Sequence, residues 1–159
     1  MAAILEQMQE RLELLQRTRS IAIVGMSKNS SRSSHFVATY LGGSTDFEVY
    51  YVNPRETEIM GKPVYASLAD LPVVPDMVDV FRRVDDLPAV TDEAIAVGAT
   101  SVWFQLGLEH PEAAATAVAA GLDVVQNCCL KIEHARFRGG LHTAGFNTGV
   151  IDSRRARIV

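Results

Sequence analysis

The sequence predicts an α/β domain in which helices cover both faces of a parallel β-sheet. Short apolar segments without polar alternation, such as residues 21–24, are typical of strands buried on both faces. These segments alternate with helical patterns along the chain, which favours parallel strands joined by right-handed crossovers. The predicted architecture is a three-layer, Rossmann-like, doubly wound sheet of about five parallel strands, with an N-terminal helix and a C-terminal tail.

Size and charge limit the functions that this chain can have. Its 159 residues, 48% of them hydrophobic, fit one domain that buries about 70% of its unfolded surface. The net charge of −4 argues against general nucleic-acid binding. Residues 1–20 carry Glu6, Glu10 and Glu13 and resemble neither a signal peptide nor a membrane span. Adjacent Cys128 and Cys129 cannot form a disulfide framework, so we expect a cytoplasmic protein.

Helix and strand patterns alternate through the first half of the chain. Apolar residues at intervals of three and four predict a helix within residues 1–19, namely Ile4, Leu5, Met8, Leu12 and Leu15. The first strand, 21–24, precedes a helix from about Ser33 to Leu41. β-Branched and aromatic residues at 47–52 predict a second strand, which Asn53-Pro54 ends. Gly61-Lys62-Pro63 predicts a turn.

The second half continues the alternation as far as residue 134. Ser67 is a cap for a short helix through Asp70, and a third strand is predicted at 78–81. A helix opening at Asp85 or Asp86 and ending at Gly98 precedes a fourth strand at 101–105. An alanine-rich helix between Pro111 and Gly121 leads to the fifth strand, 122–125, and a last turn or short helix at 127–134.

The C-terminal segment differs in composition from the rest. From Phe137 onward glycine and threonine are scattered without a sustained period. We therefore assign residues 1–137 to the domain and 138–159 to a tail. The tail either wraps across a second subunit, as in a homodimer, or stays mobile. Its candidate anchors are Leu141, Phe146, Val150 and Ile151.

Residues 20–34 form the principal candidate site. The first strand ends at Gly25, where the backbone can approach a ligand closely, and five serines follow with Lys28 and Arg32. Residues 21–45 contain no Asp or Glu, so the local field favours an anion. The strict G-x-G-x-x-G pattern is absent, because Ser27 and Ser30 replace its later glycines. The alternative is an ordinary solvated strand-to-helix connection with serine caps.

The carboxyl ends of the other strands supply further candidates, because ligands of such sheets bind there. They are residues 53–55, Arg82-Arg83, 105–111 and 126–129. With the first and fourth strands adjacent, the serine loop would face residues 105–107. Asn53 stands where NAD-binding domains usually place an acid, and basic residues stand nearby. This favours a nucleotide with an additional phosphate, either NADP or coenzyme A.

Four phrases in order resemble a known family. They are IAIVGMSKNSSRSSHFVATYL, YYVNPRETEIMGKPVYASLADLP, VDVFRRVDDLPAV and SVWFQLGLEHPEAAATAVAAGLDVVQNCCLKIEH, which together cover most of residues 20–134. The chain resembles the small stand-alone CoA-binding proteins, which are similar to the N-terminal CoA-binding domain of the succinyl-CoA synthetase alpha subunit. The resemblance implies a Rossmann-like fold that binds coenzyme A or acyl-CoA.

The resemblance also implies a set of cofactor-binding residues. The diphosphate loop corresponds to Gly25, Met26, Ser27, Lys28, Arg32 and Ser33. The adenine side corresponds to Val52, Asn53 and Pro54, with Arg55 nearby, and the pair bordering the cofactor corresponds to Phe81 and Arg82. The W-x-Q-x-G phrase facing the pantetheine corresponds to Trp103, Gln105 and Gly107, and the family cysteine corresponds to Cys129. One departure is Gln126-Asn127, where many relatives have Asp-Arg.

The sequence patterns and the family resemblance leave three hypotheses for the function. The first is a CoA-binding carrier, sensor or regulatory protein without catalytic or metal-binding residues, since no nucleophile elbow or zinc spacing occurs. A redox variant would join the CoA thiol to Cys129 in a mixed disulfide. The second is an NAD(P)-dependent oxidoreductase or nucleotide-sensing domain. The third is a structural subunit that pairs through its first helix and tail.

Overall fold

The computed structural model describes residues 1–138 of the chain. Within this range, the α-helices are Met8–Arg17 (α1), Ser33–Ser44 (α2), Leu87–Val97 (α3), Pro111–Ala119 (α4) and Leu130–Arg138 (α5). The strands are Ser20–Val24 (β1), Glu48–Val52 (β2), Glu58–Ile59 (β3), Lys62–Tyr65 (β4), Met77–Val80 (β5), Ser101–Phe104 (β6) and Asp123–Val125 (β7). Short 3₁₀ turns at Leu68–Asp70 and Val84–Asp86 precede β5 and α3.

The described strands form one twisted sheet in the order β3-β4-β2-β1-β5-β6-β7. Neighbouring strands pair in parallel, except that β3 is antiparallel to β4. The register places Ile23 between Tyr51 and Asp79, and Asp79 beside Trp103, so these side chains share one face of the sheet. The prediction of an α/β fold with a doubly wound parallel sheet is confirmed.

Helices cover both faces of this sheet and make it the middle of three layers. Leu15, Leu41 and Leu130 bring α1, α2 and α5 onto one face, and each of these side chains is fully buried. Helices α3 and α4 pack on the other face. Trp103 and Phe104 are both fully buried in β6 and belong to opposite cores, so they are core residues, as the sequence predicts.

The predicted adjacency of the first and fourth strands is wrong. β1 lies between β2 and β5, whereas β6 pairs with β5 and β7. The prediction misses β4, because Gly61-Lys62-Pro63 signals a turn, whereas the short strand already begins at Lys62. Met60 and Gly61 both have positive φ, 51° and 77°, as in a two-residue hairpin turn. When β4 is counted, β5 is the fourth parallel strand, and the order is 3-2-1-4-5-6.

The first residues of the chain pair with an edge strand of the sheet and are not helical. The N–H of Leu5 donates to the Val124 carbonyl at 2.7 Å, and the N–H of Val124 donates to the Ala3 carbonyl at 3.0 Å. Residues 3–5 therefore cover the exposed edge of β7, and α1 begins only at Met8. The spacing of apolar residues predicted that Ile4 and Leu5 belong to the helix. This prediction is wrong, because such spacing carries no information about pairing with a distant strand.

Helix α5 extends to Arg138, beyond the predicted end of the last short helix. Phe137 is 2% exposed and packs in the core on the α1 face of the sheet, so the loss of sequence periodicity there does not mark the end of ordered structure. The predicted anchors Leu141, Phe146, Val150 and Ile151 lie outside the described residues. Among residues 1–138, no helix combines the length and apolarity that crossing a bilayer requires.

Candidate functional site

A cleft of about 910 Å³ opens along the carboxyl ends of the parallel strands. It crosses the junction of β1 and β5, where the winding of the sheet reverses and helices leave toward opposite faces. Ligands of doubly wound sheets bind in this position. The volume lies within the usual range for a small-molecule site. Residues that follow the strands line this cleft, even though the sequence misplaces the neighbour of the first strand.

Gly25 brings the ends of three strands together at the floor of the cleft. Its N–H donates to the Val52 carbonyl at 2.9 Å, and the N–H of Phe81 donates to the Val24 carbonyl at 2.8 Å. Its φ is +86°, and a Cβ at this position would lie 2.1 Å from the Phe81 carbonyl oxygen. Glycine is required here both by the backbone conformation and by the close approach of β5.

The serines of the loop hold its shape, and they do not cap α2. The Ser34 hydroxyl accepts a hydrogen bond from the Ser27 N–H at 3.0 Å, and the Ser27 hydroxyl accepts one from the Asn29 N–H at 3.1 Å. The N-cap of α2 is Arg32, whose side chain makes no capping hydrogen bond. The helix therefore starts at the cleft without a side-chain cap, and its positive end favours an anion.

The cleft carries a surplus of positive charge. Four arginines line it against a single carboxylate, Asp86, which leaves three uncompensated positive charges: Arg32, Arg55, Arg82 and Arg83. Asp86 lies 3.4 Å from Arg82 and 3.8 Å from Arg83. Neither of the remaining two arginines pairs with a carboxylate within residues 1–138. Such a field attracts a polyanionic ligand.

Asn53 ties the serine loop to the end of β2. Its side-chain amide donates to the Met26 carbonyl at 2.8 Å, and its amide oxygen accepts from the Arg55 N–H at 2.9 Å. The residue lines the cleft at the position where an acidic side chain would hold a nicotinamide dinucleotide's ribose. Asn53 therefore places Arg55 beside the loop and adds no negative charge there.

Gln105 joins the cleft to a buried carboxyl group. It is 5% exposed, and its amide donates to Asp79, which is fully buried in β5. Its amide oxygen accepts from the Leu130 N–H at 3.4 Å, at the start of α5. Burial raises the pKa of Asp79 to about 8, and the hydrogen bond from Gln105 opposes this rise. Within residues 1–138, Oδ2 of Asp79 has no hydrogen-bond partner.

The loop after β6 is fixed by the two residues that follow β7. The N–H of Gly107 donates to the Asn127 side-chain oxygen at 2.7 Å, and the Asn127 N–H donates to the Leu108 carbonyl at 3.0 Å. The Gln126 side chain accepts from the His110 N–H at 2.8 Å. Gln126-Asn127, the departure from the Asp-Arg of many relatives, is thus a structural link between neighbouring strand ends.

The adjacent cysteines occupy different environments. Both pack against the core, but Cys129 also lines the cleft, whereas the carbonyl of Cys128 accepts from the Trp103 indole N–H at 2.9 Å. Burial raises the pKa of the Cys128 thiol. Both thiols are free. Trp103 is therefore held in the core and does not reach the cleft, although the resemblance groups it with the pantetheine-facing residues.

The cleft brings together eleven of the fifteen predicted site residues: Gly25, Ser27, Arg32, Ser33, Asn53, Pro54, Arg55, Phe81, Arg82, Gln105 and Cys129. The other four lie just outside its lining. Met26 and Val52 are buried at 0% and 4% exposure, Lys28 points to Glu56 at 3.7 Å, and Gly107 offers its N–H to Asn127. Six further residues line the cleft. Ser34, Arg83, Leu106 and Leu108 belong to segments that the sequence analysis names as candidates, whereas Asp86 and Ile132 do not.

Asp86 and Ile132 carried little signal in the sequence. Asp86 was interpreted only as a possible start of the helix that follows the third strand. Ile132 reaches the cleft only because α5 packs at the end of β6 and β7, which is a tertiary feature.

The fold and the cleft define a Rossmann-like domain with a cationic cleft at the carboxyl edge of its sheet. The chain belongs to the CoA binding domain family, whose model matches residues 19–135. The Bacillus subtilis protein YneT is 36% identical over 123 residues, which cover 77% of this chain and 90% of YneT.

Solved structures share the same fold. A Thermus thermophilus protein is 37% identical with a TM-score of 0.77, covering 82% of this chain and 98% of its own. A Pyrococcus horikoshii protein is 35% identical with a TM-score of 0.77, covering 82% and 92%. A dinucleotide-forming acetyl-coenzyme A synthetase from Ca. Korarchaeum cryptofilum is 24% identical with a TM-score of 0.66. It matches 73% of this chain over 28% of its own, which shows a similar fold.

Proposed function

We propose that this protein binds coenzyme A or acyl-CoA along the carboxyl edge of its sheet, as a non-catalytic carrier, sensor or regulatory protein. The observation that carries the proposal is the surplus of three positive charges in a cleft built on a glycine-serine loop. Coenzyme A bears a diphosphate and a further phosphate on the ribose, so it matches a cleft with several separate cations. Membership of the CoA binding domain family supports the same ligand.

Each part of coenzyme A would contact a different group of residues in the cleft. The diphosphate would lie over Gly25 and Ser27, against the start of α2 and the Arg32 guanidinium. Arg55 and Pro54 would border the adenosine. The ribose phosphate would engage Arg82, together with its neighbour Arg83, in place of Asp86.

We infer a binding role because of the chemical character of the lining. The cleft presents guanidinium groups, hydroxyls and apolar side chains, which hold a ligand without transferring protons at neutral pH. Its titratable groups other than arginine are Asp86, which pairs with two arginines, and the Cys129 thiol. A carrier, a sensor and a regulatory subunit would all use such a site in the same way.

Titration calorimetry of the full chain with four ligands tests this function. We expect coenzyme A to bind, dephospho-CoA to bind about tenfold more weakly because it lacks the ribose phosphate, and NAD to bind more weakly still. NADP tests the alternative of a nicotinamide dinucleotide protein. Tighter binding of NADP than of coenzyme A would overturn the proposal.

A matched pair of arginine variants locates the site. Arg32→Gln removes a cation from the cleft, whereas Arg19→Gln removes the same charge before β1, at the opposite edge of the sheet. We expect a loss of affinity of about tenfold for Arg32→Gln, which is typical of a charge-assisted contact, and less than twofold for Arg19→Gln. Equal losses in the two variants would indicate a general charge effect and would contradict a contact at this cleft.

The proposal extends to a cytoplasmic location and a homodimer. Two free thiols in neighbouring positions suit a reducing compartment. Native mass spectrometry of the purified chain measures the number of subunits and any retained ligand in one experiment. A monomeric mass at micromolar concentration would remove the dimer from the proposal without affecting the binding site.

A further inference from the structure

The lining of the cleft changes character from one end to the other. Residues following β2, β1 and β5 contribute all four of its arginines and its serines. Residues following β6 and β7 contribute no charged side chain to the lining, and they are Gln105, Leu106, Leu108, Cys129 and Ile132. The cleft therefore has a cationic end and a largely apolar end, separated by Phe81 after β5.

Two structural elements build the apolar end. Leu106 and Leu108 stand on the loop after β6, which hydrogen bonds to Asn127 hold in place. Cys129 immediately precedes α5, and Ile132 follows it by three residues in the first turn, so the two lie on the same side of the helix start. Because its loop is fixed in advance, this end needs little ordering when a ligand binds.

The large apolar side chains at this end are open to solvent. Leu106 is 67% exposed and Ile132 is 51% exposed, and both line the same cleft. A single exposed leucine needs no explanation, but two such residues in a preformed cleft beside Leu108 favour an apolar ligand group. The cationic end fixes the orientation of that ligand, with its phosphates at the arginines and its other end here.

We propose that the apolar end binds the acyl chain of an acyl-CoA, so that the protein distinguishes acyl-CoA from free coenzyme A. This inference rests on the proposed function and specifies its ligand class as thioesters of linear, apolar acyl groups. Full burial of one methylene group corresponds to about fourfold in affinity. Since Leu106 and Ile132 contact a chain from one side each, we expect about twofold per methylene.

Titration calorimetry with free CoA, acetyl-CoA, butyryl-CoA and hexanoyl-CoA measures this increment. From acetyl to hexanoyl, four methylenes predict a gain of more than tenfold in the wild-type chain. The double variant Leu106→Ser/Ile132→Ser should lose most of that gain when its affinity for hexanoyl-CoA is compared with its own affinity for acetyl-CoA. Because both side chains are largely exposed, the variant should fold normally, which circular dichroism checks.

A second double variant controls for the loss of exposed apolar surface. Val73 and Val74 are 40% and 58% exposed and precede β5, at the edge of the sheet away from the cleft. Val73→Ser/Val74→Ser should keep the full dependence on chain length. An increment that persists in Leu106→Ser/Ile132→Ser, or that disappears equally in both double variants, would overturn the assignment of the acyl site.

The same titrations separate this inference from the function on which it rests. Equal affinities for free CoA and hexanoyl-CoA would overturn acyl recognition and leave CoA binding intact. Failure of every CoA compound to bind would overturn both. Binding that strengthens with chain length, and only when Leu106 and Ile132 are present, would support both.

Discussion

Replacing Gly25 with alanine tests whether the floor of the cleft depends on the close approach of β1 and β5. The backbone there has φ +86°, and an added Cβ would lie 2.1 Å from the Phe81 carbonyl oxygen and 2.9 Å from its carbonyl carbon. These are main-chain atoms of the next strand's end, so no side-chain rotation can relieve the contact. We expect Gly25→Ala to move the end of β5 and destabilise the fold.

Two contributions determine how much Gly25→Ala lowers the free energy of unfolding. The left-handed backbone costs an alanine about 1–2 kcal/mol. Displacing Phe81 weakens its N–H bond to the Val24 carbonyl, which measures 2.8 Å, and that adds about 1 kcal/mol or more. The total loss in the free energy of unfolding is therefore about 2–4 kcal/mol.

Gly121→Ala is the matched control for this variant. Gly121 has φ +95°, and an added Cβ there would have no neighbour within 4 Å. The backbone cost and the loss of unfolded-state entropy are common to both variants, so the difference between them measures the contact with Phe81. We expect Gly121→Ala to lose about 1–2 kcal/mol only.

Urea denaturation followed by circular dichroism measures both variants. With a slope of about 2 kcal/mol per molar urea, Gly25→Ala should unfold at about 0.5–1 M less urea than Gly121→Ala. Its affinity for coenzyme A should fall as well, because the diphosphate loop starts at this residue. Equal urea midpoints for the two variants would refute the reasoning from the close approach.

Three further predictions concern charged and titratable groups. Burial lowers the pKa of His134 to about 4, so its contribution to stability is complete above pH 6.5 and falls by about 1.4 kcal/mol per unit toward pH 4. Urea midpoints of the wild type should therefore decline relative to those of His134→Gln over this range. The pKa of Asp79 is raised to about 8 from 3.8, so its contribution declines as pH rises between these values. The stability of Asp79→Asn relative to the wild type should therefore increase from pH 5 to pH 8. Urea midpoints of the two proteins that change in parallel with pH would contradict this. Asp86→Asn removes the carboxylate beside Arg82 and Arg83, and calorimetry should show coenzyme A binding up to about fivefold more tightly.

The positions of the main strands follow from local chemistry. Apolar runs mark β1, β5, β6 and β7 because strands buried on both faces need no polar alternation. Glycines at the ends of α3 and α4 marked where those helices stop, and Gly98 indeed has a left-handed φ of 89°. These signals lie within a few residues of the feature that they specify.

The sequence also located the edge of the sheet that holds the cleft. Parallel strands all end at the same edge, so residues such as Gly25, Asn53 and Arg82 must gather there whatever the strand order. This explains why the cleft includes most of the predicted residues although the neighbour of β1 was misplaced. The direction of the strands was sufficient for that result.

Contacts between distant segments were not available from the sequence. The strand order depended on β4, which is too short and too weakly patterned to recognise, and the edge pairing of Ala3 with Val124 joins opposite ends of the described chain. Leu106 and Ile132 meet in one cleft only through the packing of α5.

The amino-acid sequence by itself determined the α/β class, the glycine-serine loop and the edge of the sheet at which the cleft opens, because these depend on local propensity and strand direction. Only the tertiary structure decided which strands are neighbours, how the arginines share Asp86 and where the cleft becomes apolar. The physical reason is that the packing free energy depends on contacts between side chains far apart in the chain, whereas sequence periodicity reflects only residues that are close together in the chain.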